Sequence, residues 1–443
     1  MAKILVIMAK IKMILAIFAG AKKHTCFQMN NYNTYTLPSG LRIIHLPSAS
    51  AVVYCGIAVK AGTRHEAVGH EGLAHFCEHL TFKGTRRRTA VRIINDIEGV
   101  GGELNAFTNK EDTVFYCAIG RQYFRRAVDV LCDIVFRSIY PQAEVEKECE
   151  VVCDEIESYE DSPAELIYDE FENLLFSGHP LGHNILGTAE RVRSYTTADA
   201  MAFTRRWYRP DNSIFFVSGD IDFKKLVRQL EGLSPTASGD AAAVPPTGAA
   251  APPPLAEAPQ EPSPIIRYRG THQAHVMMGG RAYAAGDDRR WALYLLNNIL
   301  GGPSMNSRLN LSLRERRGLV YSVESAMASY GDTGVWSVYF GCDPQDLKRC
   351  CRLVHGELNR LAARPLSAAQ LTAAKRQLQG QLAIACDSRE QFALDLAKNF
   401  LHMGVGRDLD DIMHHIESLT PSDLQQAATH LFAPSRVLTL VYR

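Results

Sequence analysis

Two histidines and a glutamate lie close together in the stretch GLAHFCEHLTF, which begins at Gly72. His75 and His79 are four residues apart, and Glu78 directly precedes the second histidine. At about 100° per residue of an α-helix, His79 lies about 40° to one side of His75 and Glu78 about 60° to the other. Both imidazoles can then reach one ion, with the carboxylate beside it. The spacing predicts part of a zinc site with an acid–base group next to it.

A catalytic zinc ion needs a third protein ligand and an open position for water. The segment EVEKECEVVCDEIESYEDSP supplies carboxylates at helical spacing, and the candidates are Glu148, Glu155 and Glu157. Glu148 and Glu155 are seven residues apart, or two helical turns, so they share a helix face. On spacing alone, one of the two can bind the ion while the other supports it.

A histidine pair at this spacing is more often a surface feature than a set of ligands. The residues that flank the pair are small or apolar, namely Gly72, Leu73, Ala74, Phe76, Leu80 and Phe82. Such flanks would bury the polar face, and burying imidazoles and a carboxylate without compensation is costly. The flanking residues therefore favour a metal site over a solvated helix face.

The elements that must position these residues fall into two similar halves. Residues 234–264 are rich in Pro, Ala and Gly and poor in large apolar residues, which is typical of a linker. The linker separates residues 29–233 from residues 265–443, and each half shows a strand, helices and an antiparallel hairpin. We predict an α+β fold with two homologous domains, each a mainly antiparallel sheet with helices on one face.

The composition argues against several kinds of partner. The 443 residues include 48 Lys and Arg and 48 Asp and Glu, so no net charge recommends nucleic acid or an acidic membrane surface. The eleven cysteines contain no C-x-x-C motif, which favours free thiols in a reducing, cytoplasmic compartment. No stretch is apolar for long enough to span a membrane.

Residues 1–28 contain lysines and an apolar stretch, as signal peptides do. Their apolar stretch is interrupted by Lys10 and Lys12 and is too short to cross a bilayer. We expect an N-terminal extension that is disordered or not translated. Export or anchoring through residues 1–28 is the alternative.

The motifs of this chain and their order also resemble those of a known family. H-x-x-E-H is the signature of the inverzincins, and the chain resembles the pitrilysin/insulinase family of zinc metallopeptidases. The similarity is to the short two-domain type, which includes mitochondrial processing peptidase and bacterial relatives. It extends from Met29 to Arg443 through the motifs AGTRHE, GLAHFCEHLTFKGT, GGELNAFTNKEDTVFY, ECEVVCDEIESYEDSP, HPLGHNILGT, YRPDNSIFFVSGDID and SMNSRLNLSLRERRGLVYSV.

The resemblance implies a role for each polar residue of the first half. His75, His79 and Glu155 would bind one zinc ion per chain. Glu78 would be the general base, and Glu148 would support the ligands. The two domains would form a clamshell around a chamber for peptides or unfolded polypeptide segments.

The resemblance also implies residues that contact the substrate. Arg314 and Tyr321 in the second half match a pair that the family brings to the substrate carbonyl, although the arginines at 316–317 lie close to Arg314. A peptide would pair with the sheet edge near Asn105 and Ala106. Main-chain pairing of this kind gives affinity with little sequence preference.

A zinc-dependent endopeptidase is the leading hypothesis. The alternative is a non-catalytic partner subunit that binds extended peptides in a heteromeric processing-type peptidase, but such relatives usually lose part of the His-Glu-His set. A purely structural zinc site is disfavoured by Glu78 beside an open ligand position. Short relatives pair to complete the chamber, which implies a homodimer, or a heterodimer with a homologue.

Overall fold

The computed structural model describes residues 32–235, 263–406 and 408–443. These residues form two β-sheets with helices around them. The predicted N-terminal extension at 1–28 lies outside the described residues. Almost all of the predicted linker at 234–264 lies outside them as well.

The first sheet has six strands, β1 (Asn33–Thr36), β2 (Arg42–Pro47), β3 (Val52–Val59), β4 (Glu103–Thr108), β5 (Thr113–Gly120) and β6 (Ser213–Gly219). Their order is β1-β2-β6-β3-β5-β4. Every neighbouring pair is antiparallel except β2 and β6.

The second sheet has five strands, β7 (Ile265–Arg267), β8 (Ala274–Ala282), β9 (Val320–Ser329), β10 (Gly334–Cys342) and β11 (Leu438–Tyr442). Their order is β7-β11-β8-β10-β9, and only β7 and β11 are parallel. The order β11-β8-β10-β9 repeats the order β6-β3-β5-β4 of the first sheet. The predicted pair of homologous, mainly antiparallel sheets is confirmed.

The helices of the first half are α1 (Leu73–Thr81), α2 (Ala90–Glu98), α3 (Phe124–Arg137), α4 (Gln142–Glu160), α5 (Pro163–Leu175), α6 (Ala189–Ser194), α7 (Thr197–Trp207) and α8 (Phe223–Leu233). Those of the second half are α9 (Arg290–Gly301), α10 (Leu347–Ala363), α11 (Ala368–Cys386), α12 (Arg389–Met403), α13 (Leu409–Ser418) and α14 (Pro421–Leu431). A π-helical segment, Asn310–Glu315, precedes β9. In the described parts of the chain, no helix has the length and apolar character that crossing a bilayer requires.

The core of the first domain follows from the alternation of side chains along β3. Val53, Cys55 and Ile57 point to the face that carries most of the helices, and Ala58 points to the opposite face. Cys55 lies directly opposite Cys117 on β5, and the two thiols are in hydrogen-bond contact at 3.6 Å without a disulfide bond. All ten cysteines among the described residues are free thiols.

The opposite face of each sheet is covered by a helix from the other half of the chain. Helix α12 buries Leu396 and Phe400 against Ile44 and Ala58 of the first sheet. The guanidinium of Arg42 on β2 donates to the carbonyls of residues 400 and 401, each at 3.2 Å. The first sheet is therefore complete only when the second half has folded against it.

The second sheet receives a helix in return. Helix α5 packs Phe171 and Leu175 against Met277 on β8 and Leu440 on β11. The prediction placed helices on one face of each sheet, and the structure adds one exchanged helix on the other face. The two halves therefore cannot separate without exposing both of these apolar sheet faces to water.

The exchange predicts that the two domains unfold together. Leu396 on α12 is fully buried, so Leu396→Ala is expected to lower the free energy of unfolding by about 2–5 kcal/mol. Ile384→Ala on α11 is the matched control, because Ile384 is 70% exposed and should cost less than about 0.5 kcal/mol. Urea unfolding followed by circular dichroism measures both. A loss below about 1 kcal/mol for Leu396→Ala would argue against the exchanged helix.

Candidate metal centre

Helix α1 has a buried apolar face that packs in the first core, and the His-Glu-His set lies on its other face. Phe76, Cys77 and Leu80 are fully buried in the first core. The sulfur of Cys77 lies 3.9 Å from the carbonyl oxygen of Ala200 on α7. This contact is on the side of α1 away from His75, because Cys77 lies about 200° around the helix from it.

Three side chains from two helices meet at the other face of α1. His75, His79 and Glu155 each offer one ligand atom, and these atoms all lie within 4.8 Å of one another. The imidazole centroids are 4.6 Å apart, and Glu155 Oε2 on α4 is 3.4 Å from His79 Nε2. No other group of three or more His, Cys, Asp or Glu side chains in the described residues has this geometry. Glu157 lies outside the group and is exposed.

Glu148 orients His79. Its Oε1 atom is 2.9 Å from His79 Nδ1, and its Oε2 atom is 2.5 Å from the ammonium of Lys83. The bond to Nδ1 leaves Nε2 of His79 turned toward Glu155. A carboxylate that holds the outer nitrogen of a ligand imidazole is a recurring feature of metal sites.

Lys83 was missed in the sequence analysis. It lies four residues after His79, just beyond the end of α1, on the same side as His79. Burial favours a neutral Glu148, but the bonds to His79 and Lys83 outweigh burial and hold the pKa of Glu148 below its ordinary value. The support for His79 is therefore an ionised carboxylate.

Glu78 is buried beside the ligand group. The hydroxyl of Thr108, the last residue of β4, donates to Glu78 Oε2 at 2.8 Å. Burial raises the pKa of Glu78 above the usual range of a glutamate. Thr108 belongs to the quoted motif GGELNAFTNKEDTVFY, but only the fold shows that it reaches Glu78.

The protonation state of His75 suits a metal ligand. Burial lowers the pKa of His75 to about 3, so that this imidazole is neutral and has a lone pair to donate. Its Nδ1 atom is buried and has no hydrogen-bond partner among the described residues. A neutral imidazole, a second imidazole and a carboxylate whose ligand atoms lie within 4.8 Å of one another are a donor set that suits zinc.

The pKa of His79 is shifted in the opposite direction. Burial by itself lowers its pKa, but the contacts with Glu148 and Glu155 outweigh burial and raise the pKa to about 10. A proton on His79 therefore balances the carboxylates when no cation is bound. A metal ion must displace this proton in order to bind.

Arg314 and Tyr321 contact each other and lie outside the ligand group. The guanidinium carbon of Arg314 is 5.8 Å from the centroid of the Tyr321 ring, and Tyr321 is 84% exposed at the start of β9. The far end of β9 approaches the first domain, where the amide of Gly331 donates to the carboxylate of Glu111 at 3.1 Å. At about 3.3 Å per residue, Tyr321 lies roughly 30 Å along the strand from that contact.

The neighbouring arginines differ from Arg314. The guanidinium of Arg317 donates to the carbonyl of Ser312 at 2.7 Å, and Arg316 is exposed. Of the three arginines, only Arg314 has a described contact with the Tyr321 ring.

Asn105 and Ala106 lie on β4, which among the described residues is the last strand of its sheet and pairs only with β5. Ala106 packs toward the first core, on the same side as Thr108. The unpaired edge of β4 therefore runs past the hydroxyl that binds Glu78. An edge strand of this kind offers free main-chain groups to an extended peptide.

Comparisons with known proteins find relatives over most of the chain. The family model described as "Insulinase (Peptidase family M16)" matches residues 43–189, and "Peptidase M16 inactive domain" matches residues 194–378. An uncharacterized zinc protease of Streptomyces coelicolor is 34% identical and covers 92% of this chain and 88% of its own length. This chain belongs to the M16 family. The zinc protease YmxG of Bacillus subtilis, also described as uncharacterized, is 33% identical over 92% of the M16 chain and 97% of its own length.

Solved structures share the M16 fold at lower sequence identity. A protease from Helicobacter pylori has a TM-score of 0.83 at 22% identity and covers 93% of this chain and 99% of its own. An M16 inactive-domain structure from Pseudomonas fluorescens has a TM-score of 0.80 at 19% identity and covers 93% and 97%. The insulinase model spans the His-Glu-His set and Glu155, and the inactive-domain model spans Arg314 and Tyr321.

The difference in pKa between His79 and His75 predicts that one proton is released for each zinc ion bound at pH 6. His79, with a pKa of about 10, is protonated at pH 6, and His75, with a pKa of about 3, is not. Zinc affinity should rise with pH until His79 loses its proton near pH 10. Titration calorimetry of the metal-free protein, in two buffers of different ionisation enthalpy, counts the protons.

The Glu78→Gln variant is the control for this count, because the proton is expected to leave His79 and not Glu78. The variant should release the same number as the wild type. A titration heat that does not depend on the buffer would show that His79 is already neutral and would contradict the prediction.

Proposed function

We propose that this protein is a zinc-dependent endopeptidase that hydrolyses peptides or unfolded polypeptide segments. The observation that carries the proposal is the placement of Glu78. Its buried carboxylate lies beside a three-ligand group, is fixed by Thr108 and has a raised pKa. Membership of the M16 family, and relatives named zinc proteases, support the same chemistry.

His75, His79 and Glu155 would hold the zinc ion, one per chain. Bound zinc supplies Lewis acidity, which activates water and polarises the carbonyl of the scissile peptide bond. Glu148 keeps His79 oriented through Nδ1, so that Nε2 stays available. The protein thereby fixes the direction of His79 before the ion binds.

Glu78 acts as the general base and then as the general acid. It takes a proton from the attacking water and delivers it to the nitrogen of the leaving amine. Burial raises the pKa of Glu78 toward the working pH, where a carboxylate can both accept and return a proton. The hydrogen bond from Thr108 to Oε2 holds one carboxylate oxygen and fixes the direction of the other.

The substrate binds as an added strand along the free edge of β4, at Asn105 and Ala106. Main-chain hydrogen bonds to these residues align an extended chain with little regard for its sequence. Because Thr108 ends the same strand and binds Glu78, this alignment leads the peptide to the general base. Extended peptides and unfolded segments can pair in this way, and folded proteins cannot.

Arg314 and Tyr321 act on the active site of a second copy in a homodimer. Within one chain Tyr321 is exposed and distant from the first-domain end of β9. A partner chain can present the same pair to the carbonyl oxygen that becomes negatively charged during hydrolysis. Donors aimed at such an oxygen stabilise the transition state.

The first test of this function is Glu78→Gln. The variant keeps the three ligands and is expected to bind zinc as the wild type does, while cleavage of a quenched fluorescent peptide library falls by about 10²–10⁴-fold. Glu98→Gln is the matched control, because Glu98 is an exposed glutamate at the end of α2, outside both the ligand group and β4. It should leave cleavage unchanged.

Equal cleavage by the wild type and Glu78→Gln would remove Glu78 from the mechanism. A wild type that binds zinc and peptides but cleaves none of them would instead support the non-catalytic partner subunit. Zinc content, peptide binding and cleavage are therefore measured on the same samples.

The second test is complementation between two inactive chains. Tyr321→Phe removes one donor and should lower kcat by about 10²–10³-fold. Mixed dimers of Tyr321→Phe with Glu78→Gln contain one intact site, so random exchange of subunits should restore roughly a quarter of wild-type activity. Cleavage assays after subunit exchange measure the recovery.

Arg316→Ala serves as a control for Arg314→Ala in the same assay. Only Arg314→Ala is expected to lower kcat and to be rescued by Glu78→Gln chains. Failure of every mixture to recover activity would show that Arg314 and Tyr321 do not act across a homodimer.

A further inference from the structure

The first turn of α1 has no capping side chain of its own. The residue before the helix is Gly72, which has a φ of 93° in the left-handed region and no side chain to accept hydrogen bonds. The first backbone N–H groups of any helix have no partner inside that helix. Here they are buried, so the fold must supply an acceptor from elsewhere.

Glu66, several residues upstream, supplies that acceptor. Its Oε2 atom accepts from the amide of Gly72 at 3.0 Å, and its Oε1 atom accepts from the amide of Ala74 at 2.7 Å. The Glu66 side chain is 1% exposed. A negative charge at this position also interacts favourably with the positive end of the helix dipole.

His183 completes the arrangement from a third segment. Its Nε2 atom is 2.8 Å from Glu66 Oε2, and Lys110 donates to its carbonyl oxygen. His183 belongs to the motif HPLGHNILGT, which contributes no metal ligand. The hydrogen bond to Glu66 gives this motif a contact with the start of α1.

Backbone packing holds the same loop against the helix start. A Cβ atom on Gly72 would lie 2.5 Å from the carbonyl oxygen of Leu186, so only glycine allows this approach. The hydroxyl of Tyr195 donates to the carbonyl of Glu71 at 3.0 Å. The residues before α1 are thus fixed from two sides.

The position of His75 in the helix gives this cap a chemical consequence. His75 is the third residue of α1 and belongs to the first turn, which is the part that loosens first when a cap is lost. His79 lies in the last turn and is held independently by Glu148 and Glu155. A loosened first turn would therefore move His75 away from His79 and Glu155.

We propose that Glu66, anchored by His183, is a positioning residue that fixes His75 for metal binding. The motifs AGTRHE and HPLGHNILGT then share one task, which is to hold the start of the ligand helix. The inference rests on the zinc site proposed above, but it concerns metal binding and does not require that the protein cleaves peptides.

The experiment compares Glu66→Ala and Glu66→Gln with the wild type. Zinc affinity, measured by competition with a chelating dye, is expected to fall about 10–100-fold, as it does when a group that orients a ligand is lost. The cobalt-substituted variants should show visible absorption bands of changed position and intensity, because the His75 bond is altered. In the zinc enzyme kcat should fall and KM should stay within about twofold, since β4 is untouched.

Two control variants separate positioning from general destabilisation. Glu71→Gln changes a neighbouring carboxylate that accepts from the amide of Gly69 and not from α1, and it should keep wild-type zinc affinity. Leu396→Ala destabilises the fold far from the ligands and should keep the wild-type cobalt spectrum. His183→Ala leaves both amide bonds to Glu66 in place, so it should fold even where Glu66→Ala does not, with a smaller loss of zinc affinity.

Wild-type zinc affinity and an unchanged cobalt spectrum in the folded Glu66→Gln and His183→Ala variants would overturn the proposal. A wild type that binds zinc but cleaves no peptide would refute the peptidase function alone, because zinc affinity and cobalt spectra still test Glu66. A wild type that binds no zinc would overturn both.

Discussion

Two imidazoles and several carboxylates meet in a largely buried space between α1 and α4, and such a group is stable only when its charges are balanced. In the absence of a cation, the proton on His79 and the ammonium of Lys83 balance the carboxylates. His75 stays neutral because it is fully buried and lies next to a positive His79. The two pKa values have different causes, since burial lowers the pKa of His75 and the neighbouring carboxylates raise that of His79. A divalent ion at this position would replace the proton on His79.

The second domain supports this group, although none of its described residues belongs to the group. Helix α4, which carries Glu155, is followed directly by α5, which packs on the second sheet. Helix α12 covers the first sheet, and His402 on it lies 2.9 Å from Asp112 in the turn that follows β4. Arg64, two residues before Glu66, donates to Glu111 at 2.6 Å and to Asp332 at 2.8 Å. The edge strand and the start of the ligand helix are thus fixed partly from the other half of the chain.

Much of the fold could be predicted from local patterns. The strand and the hairpin of each half and the helical spacing of α1 depend on neighbouring residues, and the structure agrees with them. The exchanged helices were not predicted, although the apolar run IFFV at residues 214–217 in β6 gave a signal. An apolar run without alternation indicates a strand covered on both faces. It does not say which helix covers the second face, because that depends on how the halves pack.

The sequence by itself determined the residue types, the helical spacing that places His75, Glu78 and His79 on one face, and the duplication of the domain. These properties are local, because an α-helix fixes the relative directions of side chains three or four residues apart. Only the tertiary structure decided that Glu155 faces His79 Nε2 while Glu148 takes Nδ1, that Thr108 binds Glu78, and that Glu66 caps α1. It also placed Tyr321 on an open surface. Contacts between segments far apart in the chain depend on how helices and sheets pack, and no spacing within one segment specifies them.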